Sequence, residues 1–379
     1  MGDKINTEEV IHMKKAKIGI LGCGNISGIY FKNLTQTFTN TEVYAAADLI
    51  PESVKAKAEE FHVPHIMTFE QMLDCPEIDI ILNITTPQSH FALSKKALEA
   101  GKNVYVEKPL SLTIEQGREL VELADKKGLL LGGAPDTFMG AGIQTCRKYL
   151  DDGIIGKPIG ATAFMVCHGH ESCHPGPEFY YKTGGGPMLD MGPYYMTALV
   201  NLLGPVKAVA AMQNITFPTR TITSKPKFGT VVDVEVPTHV AGTMRFANDA
   251  IATVIMSFDV WASQLPRIEI YGTLGTMIVP DPNTFGGPVL IKTKNSPNFM
   301  EMPLTHPYAE NSRGLGVADM AQALEDGGKN RAHCSLTNHV LEIMCGFGIS
   351  GDTNKFYKLK STCKRPAPLP CDPIPGGVK

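Results

Sequence analysis

Between Lys17 and Gly132 the chain alternates short apolar runs with amphipathic stretches, and this alternation constrains the fold more than any other feature. The runs are KIGIL, EVYAAA, IDIILNI, NVYVE and LLLGG. Between them lie PESVKAKAEEF and QSHFALSKKALEA, the latter followed by Gly101 as a helix C-cap. Strands that are apolar throughout need cover on both faces, and a helix between successive strands makes them parallel. The expectation is an α/β domain with a parallel sheet over residues 17–133.

The texture changes after residue 133. IQTCRKYLDDG and PYYMTALVNLLG read as helices, whereas KAVAAMQNITF, THVAGTMRFAN, AIATVIMSFDVW, RIEIYG and TMIVP read as long strands. FANDAIA is a tight hairpin signal, and GVADMAQALED and LTNHVLEIMCGFG read as the last helices. Residues 134–360 are therefore expected to form an α+β domain around a large, mainly antiparallel open sheet. Residues 361–379 are proline-rich and predict an extended strap or a frayed end; residues 1–16 predict an N-terminal extension. A length of 379 residues suits two cores, and 43% hydrophobic with 19% charged residues suits globular ones.

Bulk properties exclude several partners. A net charge of −3 gives no basic field for nucleic acid, and no apolar run reaches the length of a membrane span. The N-terminus lacks the apolar core of a signal peptide, Asn6 breaks the myristoylation pattern that Gly2 would begin, and Met13 could be a second start. Nine scattered cysteines favour reduced thiols and a cytoplasmic home. The sequon Asn25-Ile26-Ser27 lies in a loop where a glycan would block a ligand, which also disfavours secretion.

KIGILGCGNISGIYFKNL places Gly22, Gly24 and Ser27 after a strand and at the start of a helix. Such glycines permit a tight turn and close approach of backbone to a pyrophosphate, which the helix N-terminus attracts. Asn25 and Ile26 share that turn. Asp48 follows Gly24 by 24 residues at the end of the second apolar run, where a carboxylate can hold both ribose hydroxyls. Leu49 and Ile50 follow it, with no arginine for a 2′-phosphate, so a Rossmann domain binding NAD rather than NADP is expected. The bland alternative for Asp48 is a solvated residue opening the DLIPE turn.

With TTPQSH and GKNVYVEKPLSL added, the chain resembles the Gfo/Idh/MocA family of NAD(P)-dependent sugar and cyclitol oxidoreductases. The likeness runs from residue 17 to about 160, resumes at GGGPMLDMGPYY and continues more loosely to about 350. It implies that Lys108 of the Glu107-Lys108-Pro109 triplet reaches the reacting hydroxyl and that Pro109, whose bond to the lysine is often cis in such enzymes, fixes it. It also places Thr86, Pro87, His90 and Glu107 along the cofactor. Carbinol oxidation needs a hydroxyl proton removed as hydride leaves, and a partly desolvated lysine can relay that proton or steady the alkoxide. The alternatives are a surface pair of Lys108 with Glu107, a plain helix start at Thr86-Pro87, and a packed His90.

In the same family an Asp is followed four residues later by a catalytic His; here Asp190 is present but the second position is Tyr194. A phenol titrates far above an imidazole. The reading gives Lys108 the main acid/base role, Asp190 an orienting role and Tyr194 a polarising role, with helix packing as the alternative for Tyr194 and Tyr195. CHGHESCHPGPEFYYKTGGG lies upstream; its Cys and His spacing fits no standard zinc site, so no metal is expected. His170, Glu171, His174, Phe179 and Tyr180 could instead face a polyhydroxyl substrate. Trp261 in SFDVWAS, and His306, Tyr308 and Arg313 in THPYAENSRG, are candidate pocket rim, with burial between sheet and helix the alternative for Trp261; His239 reads as structural.

The leading expectation is an NAD-dependent dehydrogenase acting on a secondary hydroxyl of a sugar, glycoside or cyclitol. The tyrosine-for-histidine form with HPGPEFYY resembles glycoside oxidoreductases acting at C3. The alternatives are an NAD-dependent glycosidase with redox-neutral turnover and a non-catalytic NAD-binding regulator. Relatives pack such sheets face to face, which implies a homo-oligomer, dimer or tetramer.

Overall fold

The computed structural model describes residues 15–373 and 375–379. Gly2, Asn6, Met13 and nearly all of the expected N-terminal extension lie outside the described residues.

Six strands form the first sheet: β1 (Ala16–Leu21), β2 (Thr41–Ala47), β3 (His65–Ile66), β4 (Ile80–Asn83), β5 (Asn103–Val106) and β6 (Leu131–Gly133). Their order is β3-β2-β1-β4-β5-β6, and every pairing is parallel. The order reverses between β1 and β4, which opens a crevice at their carboxyl ends. The connecting helices are α1 (Ser27–Gln36), α2 (Pro51–Phe61), α3 (Phe69–Asp74), α4 (Pro87–Glu99) and α5 (Ile114–Lys127). Local chemistry sets their ends. Thr68 and Gln71 make a reciprocal capping box on α3, Thr113 accepts from Gln116 N on α5, and Gly128 closes α5 with a left-handed φ of 64°.

The second half supplies α6 (Ala141–Asp151), β7 (Pro158–Val166), α7 (Gly186–Asp190), α8 (Gly192–Leu203), β8 (Val206–Asn214), β9 (Thr219–Thr221), β10 (Val231–Asp233) and β11 (His239–Phe246). It continues with β12 (Ile251–Ser257), β13 (Ile268–Gly272), β14 (Gly275–Val279), β15 (Val289–Thr293), β16 (Met300–Met302), α9 (Leu315–Asp326), α10 (Cys334–Thr353) and β17 (Tyr357–Lys358). Nine of these strands form one sheet, ordered β16-β15-β14-β13-β7-β12-β11-β8-β17. All its pairs are antiparallel except β12 with β7. Asp249, at φ 68°, turns the expected β11–β12 hairpin. One face of the sheet buries Val209, Val240, Val254 and Met256, and α10 packs on β8. The other face turns outward: Met212 is 76% exposed and Ile251 49%.

The chain then returns to the first sheet. α9 packs on β5 and β6, and α10 packs on α5. Gly316 is required at the first of these contacts, because a Cβ there would lie 2.1 Å from the Tyr105 hydroxyl. The proline-rich tail is a strap. Leu369 N donates to Gln144 Oε1 at 2.9 Å, Arg147 Nη1 donates to Pro366 O at 3.2 Å, and Thr39 N donates to Gly376 O at 3.1 Å. It therefore fastens the second domain to the first. Among the described residues no helix is long and apolar enough to cross a membrane.

Candidate active site

The glycine loop leaves β1 at Leu21. Gly22 has φ 108°, and a Cβ on it would sit 2.8 Å from Ile84 O, so a glycine is demanded by both strain and space. Gly24 differs: nothing of the chain lies within 4 Å of a Cβ there, so open space faces the loop. Asn25 and Ile26 are exposed at its tip, and Ser27 Oγ donates to Gly24 O at 2.7 Å. The start of α1 carries no side-chain cap and no acidic residue in its first turn. Its N–H groups are thus left for an anion. Asp48 joins β2 to this loop, accepting from Cys23 N at 2.6 Å and from Ile50 N at 2.8 Å. An uncapped helix end, open space at Gly24 and a carboxylate at the end of β2 fit a dinucleotide diphosphate and ribose.

Glu107 and Lys108 follow β5, and their side chains part. Glu107 accepts from Tyr30 Oη at 2.8 Å and from the backbone N–H of Lys108 at 2.8 Å. The Lys108 ammonium turns to the other domain, donating to Asp190 Oδ1 at 2.8 Å and to Asp190 O at 3.0 Å. A surface pair of Lys108 with Glu107 is therefore excluded. The Lys108-Pro109 bond is cis. Burial alone would depress the Lys108 ammonium, but the Asp190 and Glu107 carboxylates outweigh it and raise its pKa above the ordinary lysine value.

One expected cofactor contact is corrected. His90 is 1% exposed, and its ring nitrogens lie 2.8 Å from Pro109 O and 3.1 Å from Thr85 O. Both of its polar atoms are spent on backbone, so it holds the Lys108-Pro109 segment rather than a ligand. Thr86 precedes α4 without a side-chain cap bond, its Oγ1 3.4 Å from Ser89 Oγ; Pro87 opens the helix.

Asp190 ends α7, and Tyr194 lies on the first turn of α8, 8% exposed. The Lys108 ammonium stands 5.6 Å from the centroid of the Tyr194 ring, and Arg313 lies beside its hydroxyl. Burial raises the phenol's pKa further, against the opposing pull of Lys108. Tyr195 is fully buried packing. Arg313 is tied to Asn283 Oδ1 at 2.8 Å and Asn311 Oδ1 at 2.9 Å, which puts it behind Tyr194.

The loop 167–181 spreads its side chains over two sides. His170 faces Asp190, Nε2 to Oδ2 3.9 Å, with its ring against Tyr180 (centroids 4.2 Å) and Phe258 (4.9 Å). Phe179 is 46% exposed and stacks on Tyr180 at 4.0 Å, and His174 accepts from Gly176 N at 3.1 Å. On the far side His168 stacks under Trp261 at 3.4 Å, and these two with Phe217 and Arg220 line a cleft of about 450 Å³. Trp261 is 81% exposed, so the alternative of burial between sheet and helix fails. His306 does not join the site. It is 9% exposed and held 3.0 Å from Leu369 O by the tail strap. Among the described residues no cluster of three His, Cys, Asp or Glu is arranged to hold a metal.

Sequence reasoning missed the clamp behind this loop. Arg220 donates to Glu171 Oε1 at 3.0 Å and Phe258 O at 3.0 Å and pairs with Asp259, all three side chains nearly buried. Nothing in the spacing of TFPTRTIT flags that arginine; only its isolation as a charge among strand residues hints at burial.

Residues 16–133 match the family model described as an oxidoreductase family with an NAD-binding Rossmann fold, and residues 143–278 match the Gfo/Idh/MocA C-terminal domain. The chain belongs to the Gfo/Idh/MocA family. Its relatives include dTDP-3,4-didehydro-2,6-dideoxy-alpha-D-glucose 3-reductase of Saccharopolyspora spinosa, 31% identical over 52% of this chain and 59% of that protein. Inositol 2-dehydrogenase/D-chiro-inositol 3-dehydrogenase of Lacticaseibacillus casei is 31% identical over 38% of this chain and 42% of its own. The chain thus spans about half the length of the curated relatives it matches. Levoglucosan dehydrogenase, solved with NADH and levoglucosan, shares the fold with a TM-score of 0.80 at 19% identity, covering 92% of this chain and 100% of that one. In Gfo/Idh/MocA terms the glycine loop, Asp48 and the Glu107-Lys108-Pro109 end of β5 lie within the NAD-binding half, and Asp190 comes from the C-terminal half.

Proposed function

We propose that the chain is an NAD-dependent oxidoreductase transferring hydride between a secondary hydroxyl of a sugar, glycoside or cyclitol and the nicotinamide. The observation that carries this reading is the Lys108–Asp190 pair, one member just past the carboxyl end of β5 and the other at the end of α7 in the second domain. The curated relatives' names include sugar reductases, a sugar dehydrogenase and inositol dehydrogenases, which supports the substrate class. The finer expectation, oxidation at C3 of a glucoside, rests on the tyrosine-for-histidine form and on the HPGPEFYY loop.

The roles follow from the groups. Gly22, Gly24 and the start of α1 receive the diphosphate, and Asp48 the ribose hydroxyls. When bound, the nicotinamide supplies the two-electron acceptor. Lys108, kept as an ammonium by Asp190, donates a hydrogen bond to the reacting oxygen and steadies the charge that grows as its proton leaves. Tyr194, with a raised pKa, remains a neutral donor under that ammonium.

A panel of glucosides, free sugars and inositols with NAD or NADP, followed at the NADH absorbance, tests the reading. NADH formation with a glucoside and a 3-keto product is expected, with NAD preferred. Release of free sugar without net NADH would select the redox-neutral glycosidase, and NAD binding without any turnover the regulator. The nine unpaired thiols support a reducing, cytoplasmic setting. The outward sheet face supports a homo-oligomer, since the row Met212, Ala241, Ile255 and Phe164 crosses four strands without a charge. Light scattering should give a dimer or tetramer, and Met212→Glu with Ile255→Glu should shift it toward monomer.

A further inference from the structure

The oxidation proposed above leaves one proton to be accepted, and neither Lys108, expected to relay it, nor Tyr194 is suited to take it. Lys108 is held as an ammonium by Asp190, and Tyr194 is a buried phenol whose pKa burial has raised. Asp190 has one carboxylate oxygen bonded to Lys108 and the other turned to His170 Nε2 at 3.9 Å. A base with a free lone pair is still needed.

Among the histidines near this crevice, His90 has both nitrogens on carbonyls, His174 spends Nδ1 on Gly176 N, and His168 lies under Trp261. His170 differs. Its Nε2 is shut off from solvent with no hydrogen-bond partner, and it points at the free Asp190 oxygen 3.9 Å away. Its Nδ1 has no hydrogen bond among the described residues and is not among the buried atoms, in a side chain that is 22% exposed. The ring is gripped between Tyr180 and Phe258, and its backbone N–H donates to Tyr181 Oη at 3.3 Å. A gap of 3.9 Å exceeds a hydrogen bond, but catalytic contacts in ligand-free enzymes are often long and tighten when substrate arrives.

We propose that His170 is the proton acceptor of this site: a histidine supplied by the loop 167–181 takes the place that Tyr194 leaves vacant on α8. Asp190 fixes the ring with Nε2–H toward its Oδ2, and Nδ1 receives the proton. In the oxidation the substrate O–H bond breaks, its proton passes to Nδ1, and the O–H electron pair becomes the second bond of the ketone. The carbinol C–H electrons leave with hydrogen to NAD, so one alcohol and one NAD give ketone, NADH and a protonated His170, which then releases its proton to water.

The groups facing His170 set the sign of its pH dependence. Burial lowers its pKa from the ordinary value, Asp190 and Glu171 pull upward, and His174 and Lys108 push down, with Tyr180 uncharged. The net shift is downward, so the ring is neutral and able to accept at neutral pH. Oxidation should be at plateau there and should fall as pH drops through that lowered pKa; ketone reduction needs the charged ring and should run the other way.

This inference rests on the dehydrogenase reading, and its test separates the two. His170→Gln should lower kcat for oxidation about 100-fold and abolish the acid limb of the pH–rate profile, while NAD affinity by calorimetry stays within threefold. On the unaltered protein without substrate, nitrogen-15 NMR of the assigned His170 ring should show the Nε2–H tautomer at neutral pH. A variant that keeps the profile and kcat of the parent, or an Nδ1–H tautomer, overturns the proposal. Failure of the dehydrogenase reading would instead appear as a parent protein that oxidises no member of the panel.

Discussion

Lys108→Ala should lower turnover by about 10²–10³-fold while leaving NAD affinity nearly unchanged. Removing one preorganised donor from a developing oxyanion costs about 2.7–4 kcal/mol of transition-state stabilisation. The ammonium is held in advance by two bonds to Asp190, so nothing has to be reorganised at the moment of reaction. The cofactor loop, by contrast, depends on Gly22, Gly24 and Asp48, none of which Lys108 touches. Steady-state kinetics with the best panel substrate and calorimetric titration with NAD check both halves. Loss of NAD binding in step with turnover would assign Lys108 to the cofactor, and retention of turnover would remove it from the chemistry. Lys108→Arg should not restore activity fully, because a planar fork cannot reproduce a compact ammonium aimed at one carboxylate oxygen.

The second large effect concerns stability. Arg220→Met should destabilise the protein by about 3–5 kcal/mol, because it leaves the Glu171 and Asp259 carboxylates buried without their cation. The guanidinium also covers the Phe217 ring at 4.7 Å and the Tyr181 ring at 5.5 Å, contacts that methionine replaces only in part. Denaturant unfolding of the variant measures the loss. A change below about 1 kcal/mol would mean that the two carboxylates find other partners. Turnover should fall as well, since this clamp holds the loop that carries His170.

The first domain was legible because its strands are apolar throughout and its helices carry their own punctuation. Pro87 marks a helix start and Gly101 a helix end that the structure keeps. The most central strand of the large sheet, β7, was not legible: Gly160, Ala161 and Ala163 give PIGATAFMV little strand propensity, and it is fixed instead by neighbours on both sides, β12 and β13. His306 was misplaced for a related reason. Its partner is a carbonyl of the proline-rich tail, 63 residues away, in a segment with no periodicity from which docking could be read. The Lys108–Asp190 meeting could be expected only from the family resemblance, since 82 residues separate the two. The approach of His170 to Asp190 had no signal at all, because it is set by an arginine 49 residues beyond Glu171 and a carboxylate 39 residues beyond that arginine.

Trp261 is the only tryptophan in the chain, and it lies flat on the His168 imidazole two residues from His170. Emission excited at the indole band therefore arises from one point, in the cleft that Trp261 shares with His168, Phe217 and Arg220. Any sugar that lifts Trp261 from that ring, or covers it, should change the signal without an attached dye.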